Sequence, residues 1–229
     1  MNLMFGYDAT IFLVLIGSAI VMYAQYKVQS TFNKYNEMES QNRMSGRQAA
    51  SQILQSADLN QVAVEQVAGH LTDHYDPRSK VLRLSQSTYN ETSIAAIAVA
   101  AHETGHALQD KEGYAFLKFR SLIAPAAQIG SSLAVPMMLL GWVLNIFSLV
   151  NLGIIAFGLV LLFQVITLPV EFNASSRALT MLENQQLVTA EELPAAKKVL
   201  NAAAFTYIAA TLNSALTLLR FILISRRRN

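Results

Sequence analysis

Four stretches of the chain are apolar and nearly free of charge, and a long polar stretch separates the first from the other three. A helix needs about 20 mostly apolar residues to cross a bilayer, so each stretch is a candidate span. The first, Ala9 to Ala24, is uncharged and flanked by Tyr7, Tyr23 and Tyr26, whose amphipathic rings suit the interface. It has neither a basic leader nor a small-residue cleavage pattern, and is therefore expected to be an uncleaved anchor. The second, Leu122 to Phe147, contains Pro125 and Pro136, which span helices tolerate. The third, Leu152 to Val170, follows after only a few residues, so the two should form a tight helical hairpin. The fourth, Ala202 to Ile224, carries Asn213 and Arg220, and its arginine can reach toward the interface.

The polar stretch from Gln25 to about Ser121 reads as a small folded domain. Ser45 followed by Gln48 is a capping-box pattern. Ala49, Ala50, Ile53 and Leu54 recur behind it at helical spacing, predicting a short helix that ends near Asp58. Val62, Val64 and Val67 then alternate with polar residues. His70 to Tyr75, the turn Asp76-Pro77 and Val81 to Leu84 follow, predicting a sheet of two or three strands. Asn90 to Ser93 offers N-caps for a buried helix from about Ser93 to Gln109. The expected fold is mainly helical and integral to the membrane, with about four transmembrane helices and a small α+β domain. Its parts are an anchor (1–26), the folded domain (27–121), a helical hairpin (122–170), a further helix (171–201) and a C-terminal membrane helix with a basic tail (202–229).

Composition agrees with a membrane protein. Hydrophobic residues make up 53% of the 229 and charged residues 14%, against about 25% charged in soluble domains, and mean hydropathy is +0.33. With Lys+Arg 17 and Asp+Glu 15, the net charge of +2 supplies no field for nucleic acid. Cysteine is absent, which excludes disulfides, thiolate metal sites and cysteine nucleophiles. Histidine numbers 4, and two of these, His102 and His106, share one motif.

That motif is His102-Glu103-Thr104-Gly105-His106, an HExxH arrangement inside the expected buried helix. Residues four apart stack on one helix face, so both imidazoles can point at one ion while Glu103 reaches its bound water. Zinc suits this donor set, and a catalytic site leaves a position open for water. The metal activates that water and polarises a carbonyl, and the carboxylate handles the proton. A third ligand must come from elsewhere. His70, His74, Glu112, Glu171, Glu183, Glu191 and Glu192 are candidates. Glu171 stands out because Leu168 to Ala174 is expected to restart a helix as the third span leaves the membrane.

The segments His70 to Pro77, Val81 to Ser85, Ala95 to Gln109 with AAHETGHALQ, and Leu168 to Ala178 with LPVEFNASSRA together resemble the YugP family of bacterial membrane zinc metallopeptidases. The likeness covers nearly the whole chain. More distantly it is similar to HtpX-like membrane endopeptidases, in which two helix histidines and a glutamate on a later helix bind zinc. The resemblance implies a zincin-like catalytic domain, Glu171 as third ligand and a gluzincin-type endopeptidase of the bacterial inner membrane. One position departs from the pattern. HtpX-like enzymes carry Asp four residues after the ligand Glu, and here Ser175 stands, so Asp73, Asp76 or Asn173 become candidates for orienting a ligand histidine.

The expected function is thus hydrolysis of peptide bonds by a zinc-bound water, with one Zn2+ per chain on His102, His106 and Glu171 and with Glu103 as general base and acid. Substrates would be membrane-associated or unfolded proteins. Val81 to Ser85, or its neighbouring strand, is the candidate edge for pairing with substrate. Tyr207, His74 and Arg177 are candidate oxyanion donors. Lys27, Lys34, Lys118, Arg120, Arg177, Lys197 and Lys198 flank the spans on the catalytic side, favouring a cytoplasmic active site, while Arg226, Arg227 and Arg228 oppose it. Two other readings compete: a membrane scaffold with a structural zinc site, and a transporter-like bundle for which Asn213 and Arg220 are the only polar hints.

Overall fold

The structure, a computed structural model, describes residues 9–228. Tyr7 lies outside them, as do the side chains of Arg227 and Arg228 in the basic tail. Seven helices and three strands follow in the order α1 (Ile11–Asn36), α2 (Gly46–Ser56), β1 (Ala63–Val67), β2 (His74–Asp76), β3 (Val81–Ser85), α3 (Gln86–Tyr89), α4 (Ile94–Lys111), α5 (Ala115–Val143), α6 (Phe147–Asn184) and α7 (Leu193–Arg228). By length and composition α1, α5, α6 and α7 are each able to cross a membrane.

The described chain divides into two compact units. One consists of Gln25–Lys118 with Leu168–Phe205; the other of Phe119–Thr167, Thr206–Asn229 and the described part of Met1–Ala24. The first thus joins the end of α1, the whole sheet and α4 to the second half of α6 and the start of α7. Its core holds Phe32 from α1, Ile53 and Leu54 from α2, Leu82 and Leu84 from β3, Ile94 and Ile97 from α4, Leu182 from α6 and Leu200 from α7.

Local chemistry explains the elements. The Ser45 hydroxyl accepts from the Gln48 amide while the Gln48 side chain accepts from the Ser45 amide, so the capping box closes α2 and turns Ala49, Ala50, Ile53 and Leu54 inward. Ser93 caps α4 by accepting from the Ala96 amide at 3.1 Å, and its own hydroxyl donates to Asn36 Oδ1 at the end of α1. The sheet has the order β1-β3-β2, with β1 parallel and β2 antiparallel to β3. Strand β3 is therefore central, so of the two alternatives for a free edge, Val81 to Ser85 or its neighbour, the first is excluded, and β1 and β2 are the edges. Alternation along β3 sends Leu82 and Leu84 into the core and leaves Arg83 between Glu65 of β1 and Asp76 of β2, each at 3.5 Å. At the end of β2, Asp76 accepts from the Arg78 amide and the Ser79 hydroxyl, which holds the Asp-Pro turn.

In the second unit, α5 and α6 form the expected hairpin around Asn145, whose φ of 56° is one that asparagine tolerates well. Small residues set their approach. A Cβ on Gly153 would lie 2.8 Å from the Ala134 carbonyl and 2.5 Å from Met138, so only glycine lets these helices meet. Leu168 to Ala174 does not restart a helix, because α6 runs unbroken through Pro169 to Asn184. One missing amide donor costs a single rung of the ladder, and the Thr167 hydroxyl donates to the Phe163 carbonyl in the turn before it. Residues 171–184 are consequently the far half of the third apolar helix, and the segment expected as a separate helix over 171–201 is divided by a loop between α6 and α7.

Candidate metal centre

The centre forms where α4 meets α6. Gly105, inside the HExxH motif, is what allows the meeting: a Cβ there would stand 2.6 Å from the Ala174 carbonyl. With the two backbones this close, two α6 side chains, Glu171 one turn before Ala174 and Ser175 next to it, reach the histidine face of α4. Ligand atoms of His102, His106 and Glu171 all lie within 4.8 Å of one another. Glu171 Oε2 is 3.2 Å from His102 Nε2 and 3.6 Å from His106 Nε2, and the imidazole rings stand edge-to-face with centroids 4.9 Å apart. Glu171 is almost wholly buried, at 1% exposure. A buried carboxylate needs compensating positive charge or donors, and here it faces two imidazoles.

The outer ring nitrogens are held from behind, and for His106 the hydrogen bonds determine the tautomer. Gln109 Nε2 donates both to the Val170 carbonyl at 2.8 Å and to Asn173 Oδ1 at 2.9 Å. Its Oε1 must then be the atom 3.0 Å from His106 Nδ1, so Nδ1 carries the proton and Nε2 is left with its lone pair toward Glu171. His102 Nδ1 lies 3.1 Å from Ser175 Oγ, which can accept its proton in the same way. Two imidazole nitrogens and one carboxylate, with both imidazoles anchored at Nδ1, form a donor set that fits zinc. Burial alone would push His106 down in pKa, but the Glu171 carboxylate beside it and the negative charge of Glu103 outweigh this and raise it above the ordinary imidazole value, favouring the protonated form.

The brace continues outward. Asn173 Oδ1 also accepts from Arg177 Nε at 2.7 Å, and the Arg177 fork pairs with both oxygens of Glu112 at 2.7 and 2.6 Å. This pairing holds the Glu112 carboxyl below its usual range. Arg177 and Glu112 are thereby bound to each other. Neither stands as the oxyanion donor or third ligand for which the sequence left them open. Of the remaining orienting candidates, Asn173 acts on His106 only through Gln109. Asp73 accepts from the Ser85 amide and hydroxyl at the end of β3, and Asp76 caps its own turn. Ser175 itself lies against His102 Nδ1, the position from which that ring is oriented.

Glu103 lies beside His102 and His106 on α4, with its Oε2 accepting from the Tyr75 amide of β2 at 3.1 Å. Tyr75 is pinned in turn by its hydroxyl, which donates to Asp110 at 2.7 Å, while Lys80 pairs with the same carboxylate. Burial, then the Asp110 hydrogen bond and charge, push the Tyr75 phenol up, so it stays neutral. The other candidates are elsewhere. His70 packs its ring on Phe32, and His74 is exposed with Nδ1 against the Thr72 carbonyl. Glu192 is buried but accepts from the Gln41 and Thr189 amides, tying a loop to the start of α7. Glu183 and Glu191 are exposed, and Tyr207, 37% exposed, belongs to the other unit. Gln109 went unnoticed in the sequence, although its position three residues after His106 on the same helix face was a usable sign.

Comparison with known proteins agrees with this chemistry. Residues 10–226 match a protein family described as "Putative neutral zinc metallopeptidase". The chain is 45% identical over 214 residues to "Putative membrane protease YugP" of Bacillus subtilis (strain 168), covering 93% of this chain and 95% of that protein. No solved structure matches.

Proposed function

The chain belongs to this zinc metallopeptidase family, and from that premise we propose a membrane-embedded endopeptidase of gluzincin type, with His102, His106 and Glu171 holding one zinc per chain and Glu103 serving as general base and acid. The observation that carries the reading is the convergence of three donors, Glu171 buried and His102 half-buried, with both histidines hydrogen-bonded at Nδ1 and both Nε2 atoms facing the Glu171 carboxylate. When bound, zinc supplies Lewis acidity that lowers the pKa of water and polarises a carbonyl.

The remaining work belongs to the chain. Glu103 accepts a proton from the attacking water and returns it to the departing amine, so that water adds across the cleaved C–N bond. The Tyr75 amide occupies one Glu103 oxygen and holds the carboxylate in place for this exchange. Strand β2, at the sheet's edge, presents its outer side by Tyr75 next to Glu103, a position suited to aligning an extended substrate by strand pairing. The Gln109, Asn173, Arg177 and Glu112 chain keeps His106 in the required tautomer. Substrates are proposed to be membrane-associated or unfolded proteins. The lysines and arginines at the span ends support an active site on the cytoplasmic side of the bacterial inner membrane.

The test combines metal content with proteolysis of an unfolded protein. Wild type should hold about one zinc per chain. His102→Ala and Glu171→Ala should lose it, and Glu103→Gln should keep it while cleavage stops. Zinc retained in Glu171→Ala would refute the ligand set; undiminished cleavage by Glu103→Gln would refute the enzyme mechanism.

A further inference from the structure

Away from the metal centre, the end of α1 and the start of α7 enclose a groove of about 530 Å³ lined by Lys27, Ser30, Thr31, Lys34, Lys198 and Asn201, with Tyr35 and Ala202 completing its wall. No acidic side chain lines it. Lys27 and Lys34, two turns apart on α1, converge with Lys198 of α7. Among the described residues none of the three forms an ion pair; Lys27 Nζ lies 5.4 Å over the Phe205 ring and Lys34 Nζ 5.6 Å over Tyr35. Three exposed ammonium groups gathered without a counter-charge repel one another, and an anion seated between them would relieve that repulsion.

Their place along the helices says which anion. Lys27 is the first charged residue after the uncharged run 9–26 of α1, and Lys198 is the last before the uncharged run 199–219 of α7. Where two candidate spans both regain charge, the phosphates of the lipid headgroups are the anions at hand. We infer that this groove binds a phosphate-bearing anion, supplied by the headgroup of an anionic phospholipid. The lysines provide point charges for the phosphate oxygens, and the Asn201 amide and Thr31 hydroxyl provide further donors.

The full chain in a mild non-ionic detergent tests this. Dihexanoyl phosphatidylglycerol should raise the melting temperature by about 5 °C near saturation, whereas phosphatidylcholine of the same chain length and inorganic phosphate should not. K27Q/K34Q/K198Q should abolish the rise, and K197Q, which removes a neighbouring charge outside the groove, should retain it. Lys198→Gln alone, a change at one exposed side chain, should weaken the lipid titration about fivefold, so the test stands even if the triple variant folds poorly. An undiminished response in both variants would overturn the site. An equal response to inorganic phosphate would reassign it to a free phosphate and overturn the lipid, and an equal response to phosphatidylcholine would remove the role of the headgroup charge.

Discussion

The two compact units apply opposite rules to the same apolar side chains. In the unit holding the metal centre, Ile53, Leu82, Leu84, Ile97 and Leu182 are fully buried. In the other, Leu122, Leu139, Leu140, Val143, Leu152 and Ile155 are more than half exposed, and the buried residues of α5 are mostly small, such as Ala127, Gly130, Ala134 and Gly141. The first arrangement is what water enforces by the hydrophobic effect. Lipid is as apolar as leucine and offers no such drive, so close packing of small residues holds the helices together instead. Polar groups divide less cleanly. Glu171, His106 and Gln109 are buried within a connected set of hydrogen bonds, but buried side-chain oxygens without a hydrogen-bond partner among the described residues occur in both units, on Gln164 and Asn213 of the apolar helices and on Gln185 and Thr189 of the first unit.

Substitutions can sharpen or break this comparison. Leu182→Ala should destabilise the chain by about 2–5 kcal/mol through the cavity it leaves, whereas Leu139→Ala, at 53% exposure, should change stability by less than about 0.5 kcal/mol. Unfolding in a constant detergent would compare them, and equal losses would mean that the two units obey one rule. Gly105→Ala comes next: forcing α4 from the Ala174 carbonyl should cost about 1–3 kcal/mol and lower zinc retention through Glu171, both measurable on one preparation. Gln109→Leu should weaken zinc binding about 10–100-fold in a chelator competition while leaving the secondary structure intact by circular dichroism.

The smallest effect concerns the turn. The Ser79 hydroxyl and then the Arg78 amide lower Asp76 from 3.8 to about 2. Because the folded value lies below the unfolded one, the contribution is present above about pH 4 and is lost as pH falls through about 2. A melting-temperature difference between wild type and Asp76→Asn should therefore shrink across that window. A difference that persists unchanged to the lowest pH would mean that the turn does not depend on the ionised carboxylate.

Much was legible because it is local. The apolar stretches, the capping box at Ser45, the cap at Ser93 and the HExxH spacing each depend on residues within a few positions of one another, where helix geometry alone decides who faces whom. The site beyond that motif was legible only through resemblance to a family. Chemistry and spacing left seven candidates for a third ligand, and Ser175 read as a departure from the expected pattern, although it lies against His102. Strand order was equally hidden: nothing in Val81 to Ser85 says that β2 will pair outside it and leave β3 in the middle.

By itself the sequence determined a membrane-anchored, mainly helical chain with one helix that carries the HExxH pattern, since hydropathy and short-range periodicity are properties of neighbouring residues. Only the tertiary structure decided which carboxylate meets the histidines and what holds their outer nitrogens. Glu171 is 69 positions from His102, and Ser175 is 73. Contacts at that separation arise from the backbone approach that Gly105 permits and from α6 continuing through Pro169, and neither follows from any local pattern.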